Sequence, residues 1–124
     1  MAEKKKLLIL DDDESVKNML GQVFSADGME VDLTSSCKDT LRICEEKKPD
    51  LLILDYNVDD GIGWDLAKVI RENPEKFGKP HFIAMSGTVD INAMGTREFD
   101  DFTPKPFNIN ALLAKVRKVL SLPS

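Results

Sequence analysis

No apolar run in this sequence exceeds four residues, so nothing in it supplies the roughly 20 apolar residues of a membrane-spanning helix. The charged amino end, Met1 to Lys6, is followed by Leu7–Leu10 alone before Asp11 interrupts, which is too short an apolar stretch for a secretory signal. Cysteine is scarce: only Cys37 and Cys44 occur. Both lie in a segment of helical period, where their spacing separates them by about 10.5 Å along the axis, while a disulfide needs Cα atoms within about 7 Å. They are expected to be reduced thiols packed as small apolar groups, and a reducing cytoplasm is the expected compartment. An excess of positive charge is also lacking, since 17 Lys and Arg face 22 Asp and Glu for a net charge of −5. Binding to a phosphate backbone is driven by such an excess, so nucleic acid is not expected as a direct ligand. Internal repeats, low-complexity tracts and methionine stripes are absent as well.

What is present is a chain of 124 residues that is 42% apolar, the size of one domain with a real core. A single domain is expected over 1–124, with its core at about 6–120 and no room for a second folded output unit. Short apolar runs of strand length alternate with longer segments of helical period, the pattern of parallel strands joined by crossover helices. Leu7–Leu10 and Leu51–Leu54 are solidly apolar, as strands covered on both faces should be, and His81–Met85 is similar. Val31 and Leu33 alternate with polar residues in an edge strand, and Asp101–Thr103 makes a short fifth.

Between the strands, Val16, Met19, Leu20, Val23 and Phe24 place an apolar stripe on a helix ending near Asp27-Gly28. Ser36 caps a second helix that runs to about Lys47 and is stopped by Pro49. Leu66, Ala67 and Ile70 mark a third, ended by Asn73-Pro74. Asn108 caps the last, with Ile109, Leu112, Leu113, Val116, Val119 and Leu120 on one face. Between Val89 and Phe99 only a turn or two around Ile91–Met94 has helical spacing. The expected fold is therefore α/β, a (βα)5 doubly wound parallel sheet, in which ligands sit beyond the carboxyl ends of the strands.

Those strand ends carry the chemistry. Asp11-Asp12-Asp13-Glu14 follows the first strand and Asp55 ends the third. Where these two strands are neighbours, about 4.8 Å apart, the carboxylates converge and repel. A hard dication resolves the repulsion; Mg2+ fits, with Mn2+ as a substitute, and through its open positions it recruits phosphate oxygens. Ser86-Gly87 follows the fourth strand, offering a hydroxyl to a phosphoryl oxygen and the space to receive it. Lys105-Pro106 follows the fifth, with Lys105 as counter-charge and Pro106 fixing the turn. Together these parts fit phosphoryl transfer to Asp55 as nucleophile.

An acid pair after strand one, Asp after strand three, Ser after strand four and Lys-Pro after strand five resemble the receiver domain of two-component response regulators. The motifs LLILDDDE, PDLLILDYN, FIAMSG and DDFTPKPFN each occur once and in that order, and the resemblance covers Leu7 to Leu120. It implies the flavodoxin-like strand order 2-1-3-4-5. It also implies that Asp55 is the phosphoacceptor and that Mg2+ is held by Asp11, Asp12, Asp55 and the backbone carbonyl of Asn57. Ser86 resembles the switch hydroxyl, and Phe102 the aromatic that turns inward with it; Lys105 neutralises the phosphoryl group, and Gly87 and Pro106 support the site. The implied donor is a histidine kinase or a histidine phosphotransfer protein. Output would pass through the surface made by the fourth helix, fifth strand and fifth helix to a downstream protein or domain, by a monomer or a phosphorylation-induced dimer. Such a chain is a phosphoacceptor that assists its own phosphorylation and dephosphorylation, not an enzyme.

Two departures stand out. The family usually carries Pro shortly after the acceptor and Asp-Gly later in that loop, whereas this chain has Asp59, Asp60, Gly61 and then Ile62-Gly63. The segment from Ser86 to Lys105 is also shorter than usual, and the shortening falls in the fourth helix. Each feature alone has an ordinary reading: an acidic run favoured at a helix start, Asp55 and Ser86 in turns, Lys105 as surface charge. Asp13 and Glu14 are assigned to that helix start. Of the competing functions, a haloacid-dehalogenase-type phosphatase needs a second acid where Asn57 stands, and a degenerate receiver that only binds would lack an acid or the lysine. A flavodoxin would need a phosphate-cradling loop after strand one. His81 begins its strand, at the end of the sheet away from the acids, and is assigned a structural role, and Trp64 is expected to pack at the start of the third helix.

Overall fold

The computed structural model describes residues 4–55, 57–58, 61–86, 101–104 and 108–120. In chain order they form β1 (Lys6–Leu10), α1 (Glu14–Ala26), β2 (Glu30–Thr34), α2 (Cys37–Lys47), β3 (Leu51–Asp55), β4 (Asn57–Val58), β5 (Gly61–Ile62), α3 (Gly63–Glu72), α4 (Pro74–Phe77), β6 (His81–Ser86), β7 (Asp101–Pro104) and α5 (Ile109–Val119). Five strands make one parallel sheet in the order β2-β1-β3-β6-β7, which is 2-1-3-4-5 when the main strands are numbered in sequence. Among the described residues, the five expected strands and the first, second, third and last of the expected helices are present, and the strand of alternating polarity, β2, lies at an edge. The segment from Val89 to Phe99 lies outside the described residues.

Successive side chains of a strand point to opposite faces, and here that alternation builds two cores. Leu8, Leu10, Leu52, Leu54, Phe82 and Ala84 pack beneath α2, α3 and α4. Leu7, Ile9, Leu51, Ile53, Ile83 and Met85 pack beneath α1 and α5. Every residue of Leu7–Leu10 and Leu51–Leu54 is at most 1% exposed. At about 1.5–3 kcal/mol for each fully buried side chain, these two strands outweigh any surface ion pair, at about 0–1 kcal/mol.

Local signals end the helices where the sequence places them. Asp13 accepts from the amides of Ser15 and Val16 at the start of α1, Ser36 from Asp39 at the start of α2, and Asn108 from Asn110 and Ala111 at the start of α5. Gly28, at φ +93°, follows α1 in a conformation that costs glycine little. Lys48 closes α2 in the left-handed region at φ 48°, because the following Pro49 disfavours another helical residue.

Three features depart from the periodicity. The buried face of α1 is Lys17, Leu20, Gly21 and Phe24, while Met19 is exposed and Val16 and Val23 are half-buried. Gly21 explains the rotation: a Cβ there would lie 3.3 Å from Leu33 Cδ1, so its missing side chain lets α1 lie close to β2. Beyond Asn73, Pro74 starts the extra turn α4 instead of breaking the chain into loop, since proline suits a first helical position, and Phe77 drops into the core. The hairpin β4–β5, pairing Asn57 with Ile62 and Val58 with Gly61, is too short for any periodicity to announce.

Ion pairs fasten helices to the sheet ends. Arg117 of α5 forks onto Asp27 beyond α1, its Nε 2.8 Å from Oδ2 and its Nη2 on Oδ1. Lys115 reaches Asp101 of β7 at 3.0 Å, and Lys47 reaches Asp32 of β2 at 3.0 Å. No helix among the described residues is long and apolar enough to cross a membrane.

Two expectations follow. The hydrogen bonds and charge of Arg117 hold the Asp27 carboxyl below its ordinary range, so its contribution is present above the unfolded value near 3.9 and lost as pH falls below it. Asp27→Asn should lower the urea midpoint at pH 7, with the gap to wild type closing as the acid limb is entered near pH 3; an equal gap at both pH values would exclude an ionic origin. The cysteines form no disulfide, and burial pushes the Cys44 thiol up to about 12. An aromatic disulfide reagent at pH 8 should label half-buried Cys37 first and Cys44 only on unfolding, because the thiolate is the reacting form; equal rates would contradict this burial.

Candidate functional site

Parallel pairing of β1 with β3 sets Leu10 against Leu54. The next residues, Asp11 and Asp55, therefore leave the sheet side by side at its carboxyl end. One carboxylate oxygen from each of Asp11, Asp12 and Asp55 lies within 4.8 Å of the others. Asp11 is fully buried, Asp55 half-buried and Asp12 exposed, so the cluster opens to solvent on one side. Asp11 is locked in place: its Oδ1 accepts the Asp13 amide at 2.9 Å, and its own amide donates to the Thr34 carbonyl at 3.1 Å. Asp13 and Glu14 stay out of the cluster. Asp13 caps α1, and Glu14 takes the ammonium of Lys17 at 2.8 Å, as the helix-start assignment requires.

Three carboxylates at this separation repel unless a proton or cation joins them. The donor set is all hard oxygen. Mg2+ binds oxygens at about 2.1 Å, which puts opposite ligands about 4.2 Å apart. The 4.8 Å spread of the acids is within a small side-chain adjustment of that size, so the residues fit such an ion.

The other sequence candidates are placed to different degrees. Asp55 pairs with Met85 across β3–β6, so Ser86 is the next residue beyond that pair, and as the last residue of β6 it pairs with Pro104. Its backbone is thus at the same end of the sheet as the acids. Phe102 pairs with Ala84 within β7, and Asn57 opens β4 opposite Ile62. The side chains of Asn57, Ser86, Phe102 and Trp64 are not among those described, and Gly87, Lys105 and Pro106 lie outside the described residues, as do Asp59 and Asp60. His81 begins β6, at the opposite end of the sheet from Asp55.

Lys17 escaped the sequence reading. It is 5% exposed, and its ammonium donates to Glu14 and to the hydroxyl of Ser35, just beyond β2. The Thr34 and Thr40 hydroxyls, 2.7 Å apart, and the Thr40 bond to the Ser36 carbonyl at 2.8 Å brace the same turn. The β1–α1 and β2–α2 turns are thereby tied together behind the acids. The available signal was position: Lys17 stands three residues before Leu20 and seven before Phe24, on the face that packs.

Comparison with known proteins agrees with this geometry. Residues 7–117 match the model of the response regulator receiver domain. Over 116 residues the chain is 30% identical to the DNA-binding response regulator MtrA of Mycolicibacterium smegmatis, covering 92% of this chain and 50% of that protein. It is also 30% identical over 117 residues to the sensor histidine kinase AtsR of Burkholderia thailandensis, covering 92% of this chain and 19% of the relative. The chain thus spans half or less of these two relatives. A crystal structure of a putative response regulator from Chloroflexus aurantiacus superposes with a TM-score of 0.86 at 30% identity, over 96% of this chain and 99% of that one. Receiver domains bind Mg2+ at an acidic pocket, and they are generally not enzymes in their own right. On the family match and the shared fold, this chain belongs to the response regulator receiver domains, whose function is phosphorylation-dependent signalling in two-component systems.

Proposed function

We propose that this chain, as one receiver domain over its whole length, takes a phosphoryl group onto Asp55. The convergence of Asp11, Asp12 and Asp55 within 4.8 Å carries the reading. A carboxylate oxygen of Asp55 attacks the phosphorus of a phosphohistidine on a histidine kinase or a phosphotransfer protein. A P–O bond forms, the P–N bond breaks, and its electron pair returns to the imidazole nitrogen of the donor. Asp11, Asp12, Asp55 and the Asn57 carbonyl hold Mg2+, which when bound neutralises charge on the phosphoryl oxygens. Lys105 supplies a second cation, Ser86 donates its hydroxyl to a phosphoryl oxygen, and Gly87 and Pro106 leave room and fix the turn.

The acyl phosphate is labile to water, so the state is timed. Ser86 and Phe102 carry the change to the surface of β7, α5 and the segment between Ser86 and Asp101, where a downstream protein or domain docks. The chain works in the cytoplasm, where its donors are. A degenerate receiver would lack one of the acids, and here all three converge at one sheet end.

Two measurements test the site. Incubation with acetyl phosphate and Mg2+ should add one phosphoryl group by intact-mass spectrometry, and Asp55→Asn should abolish the adduct; an adduct formed as readily on the variant would sink the assignment. Titration calorimetry should show Asp11→Asn weakening Mg2+ binding by about tenfold or more, as loss of one of few anionic ligands demands. Unchanged affinity would remove Asp11 from the ligand set.

A further inference from the structure

The turn that carries Asp11 and Asp12 lies inside a ring of hydrogen bonds, and a buried lysine completes that ring. The Asp11 amide donates to the Thr34 carbonyl at 3.1 Å, which ties the turn to the end of β2. The next residue along, Ser35, accepts from the ammonium of Lys17, and the same ammonium donates to Glu14 at 2.8 Å. From Lys17 the ring returns through its own amide, 3.1 Å from the Asp13 carbonyl, and then through the Asp13 amide, which donates to Asp11 Oδ1 at 2.9 Å. Asp12 is thus an exposed acid with both of its neighbours fixed.

Stability alone does not call for a lysine here. An enclosed ammonium costs free energy that an apolar side chain would not, and an apolar replacement for a buried ion pair is often neutral or better. Beside Leu20 and Phe24, on the packed face of α1, such a side chain would be at home. It could not hold Ser35. Nor is the charge of Lys17 what a metal site gains, because a positive group behind the acids opposes a dication.

We propose that Lys17 is a positioning residue for the metal site: through Ser35 and Glu14 it fixes the turn of Asp11 and Asp12 and so favours Mg2+ over Ca2+. This inference rests on the reading of the acids as a Mg2+ site. Mg2+ requires a nearly octahedral set of oxygens at about 2.1 Å, while Ca2+ accepts about six to eight at about 2.3–2.6 Å in irregular arrangements. A turn that is held supplies the stricter geometry, and a loosened turn loses the smaller ion first.

Two variants remove the brace without changing the net charge: Ser35→Ala, an exposed change with little risk to folding, and Lys17→Met combined with Glu14→Gln. Titration calorimetry should show Mg2+ weakened about threefold or more in each and Ca2+ by less than about twofold, a change of ratio that a general loss of stability does not produce. In metal-free protein the Asp13 amide should exchange its hydrogen faster in both variants, since its bond to Asp11 belongs to the ring. Mg2+ affinity at the wild-type value, equal losses for the two ions, or an unchanged Asp13 exchange rate would each overturn the role. Failure of the metal site itself reads out separately, as wild-type protein that binds no Mg2+, and would overturn this role with it.

Discussion

Crowding of negative charge is the constraint around which this molecule is arranged. Asp11, Asp12 and Asp55 are held within 4.8 Å although each repels the others, and Asp11 is shut away from water as well. Nothing in the acids themselves favours that arrangement. It is imposed by two strands whose side chains are all enclosed, and whose burial supplies several times the energy that the carboxylates can oppose. The backbone contributes too, since the Asp13 amide donates to Asp11 and the positive end of the α1 dipole begins just beyond it. The family's acidic pocket is in this sense a strained corner of a very stable sheet.

How much of this could be read in the sequence depended on the range of the signal. Strands with solid apolar runs, such as Leu51–Leu54, and helices with a capping side chain, such as Ser36 or Asn108, carry their own instructions and emerged where expected. The rotation of α1 did not, because it depends on Gly21 meeting Leu33 across a strand, a contact between elements that no periodicity encodes. Pro74 reads as a stop, yet the same residue begins a turn that Phe77 anchors in the core. The acids were legible as residues, but their meeting required the strand order, which came from the family resemblance. Lys17 remained hidden since Ser35, which takes its ammonium together with the neighbouring Glu14 of the same helix, is brought up by the turn beyond β2 that the sequence leaves open.

The two ends of the sheet differ in character. The carboxyl end gathers acids within a braced pair of turns; the amino end presents Arg71, Lys79 and His81 around a cavity. Helices running back toward the amino end add Lys47, Arg117 and Lys118 in their last turns, where their dipoles favour cations.

The division of the core into two alternating sets has one more consequence. Leu8 and Leu10 serve one layer of helices, Leu7 and Ile9 the other, and the same count along β1 decides where Asp11 emerges beside Asp55. A single residue inserted or deleted within β1 would exchange the two sets, turning each leucine toward the wrong layer, and would carry Asp11 out of line in the same stroke. Packing and chemistry are thus written in one reading frame. The spacing that fills the core is therefore the spacing that brings the acids together.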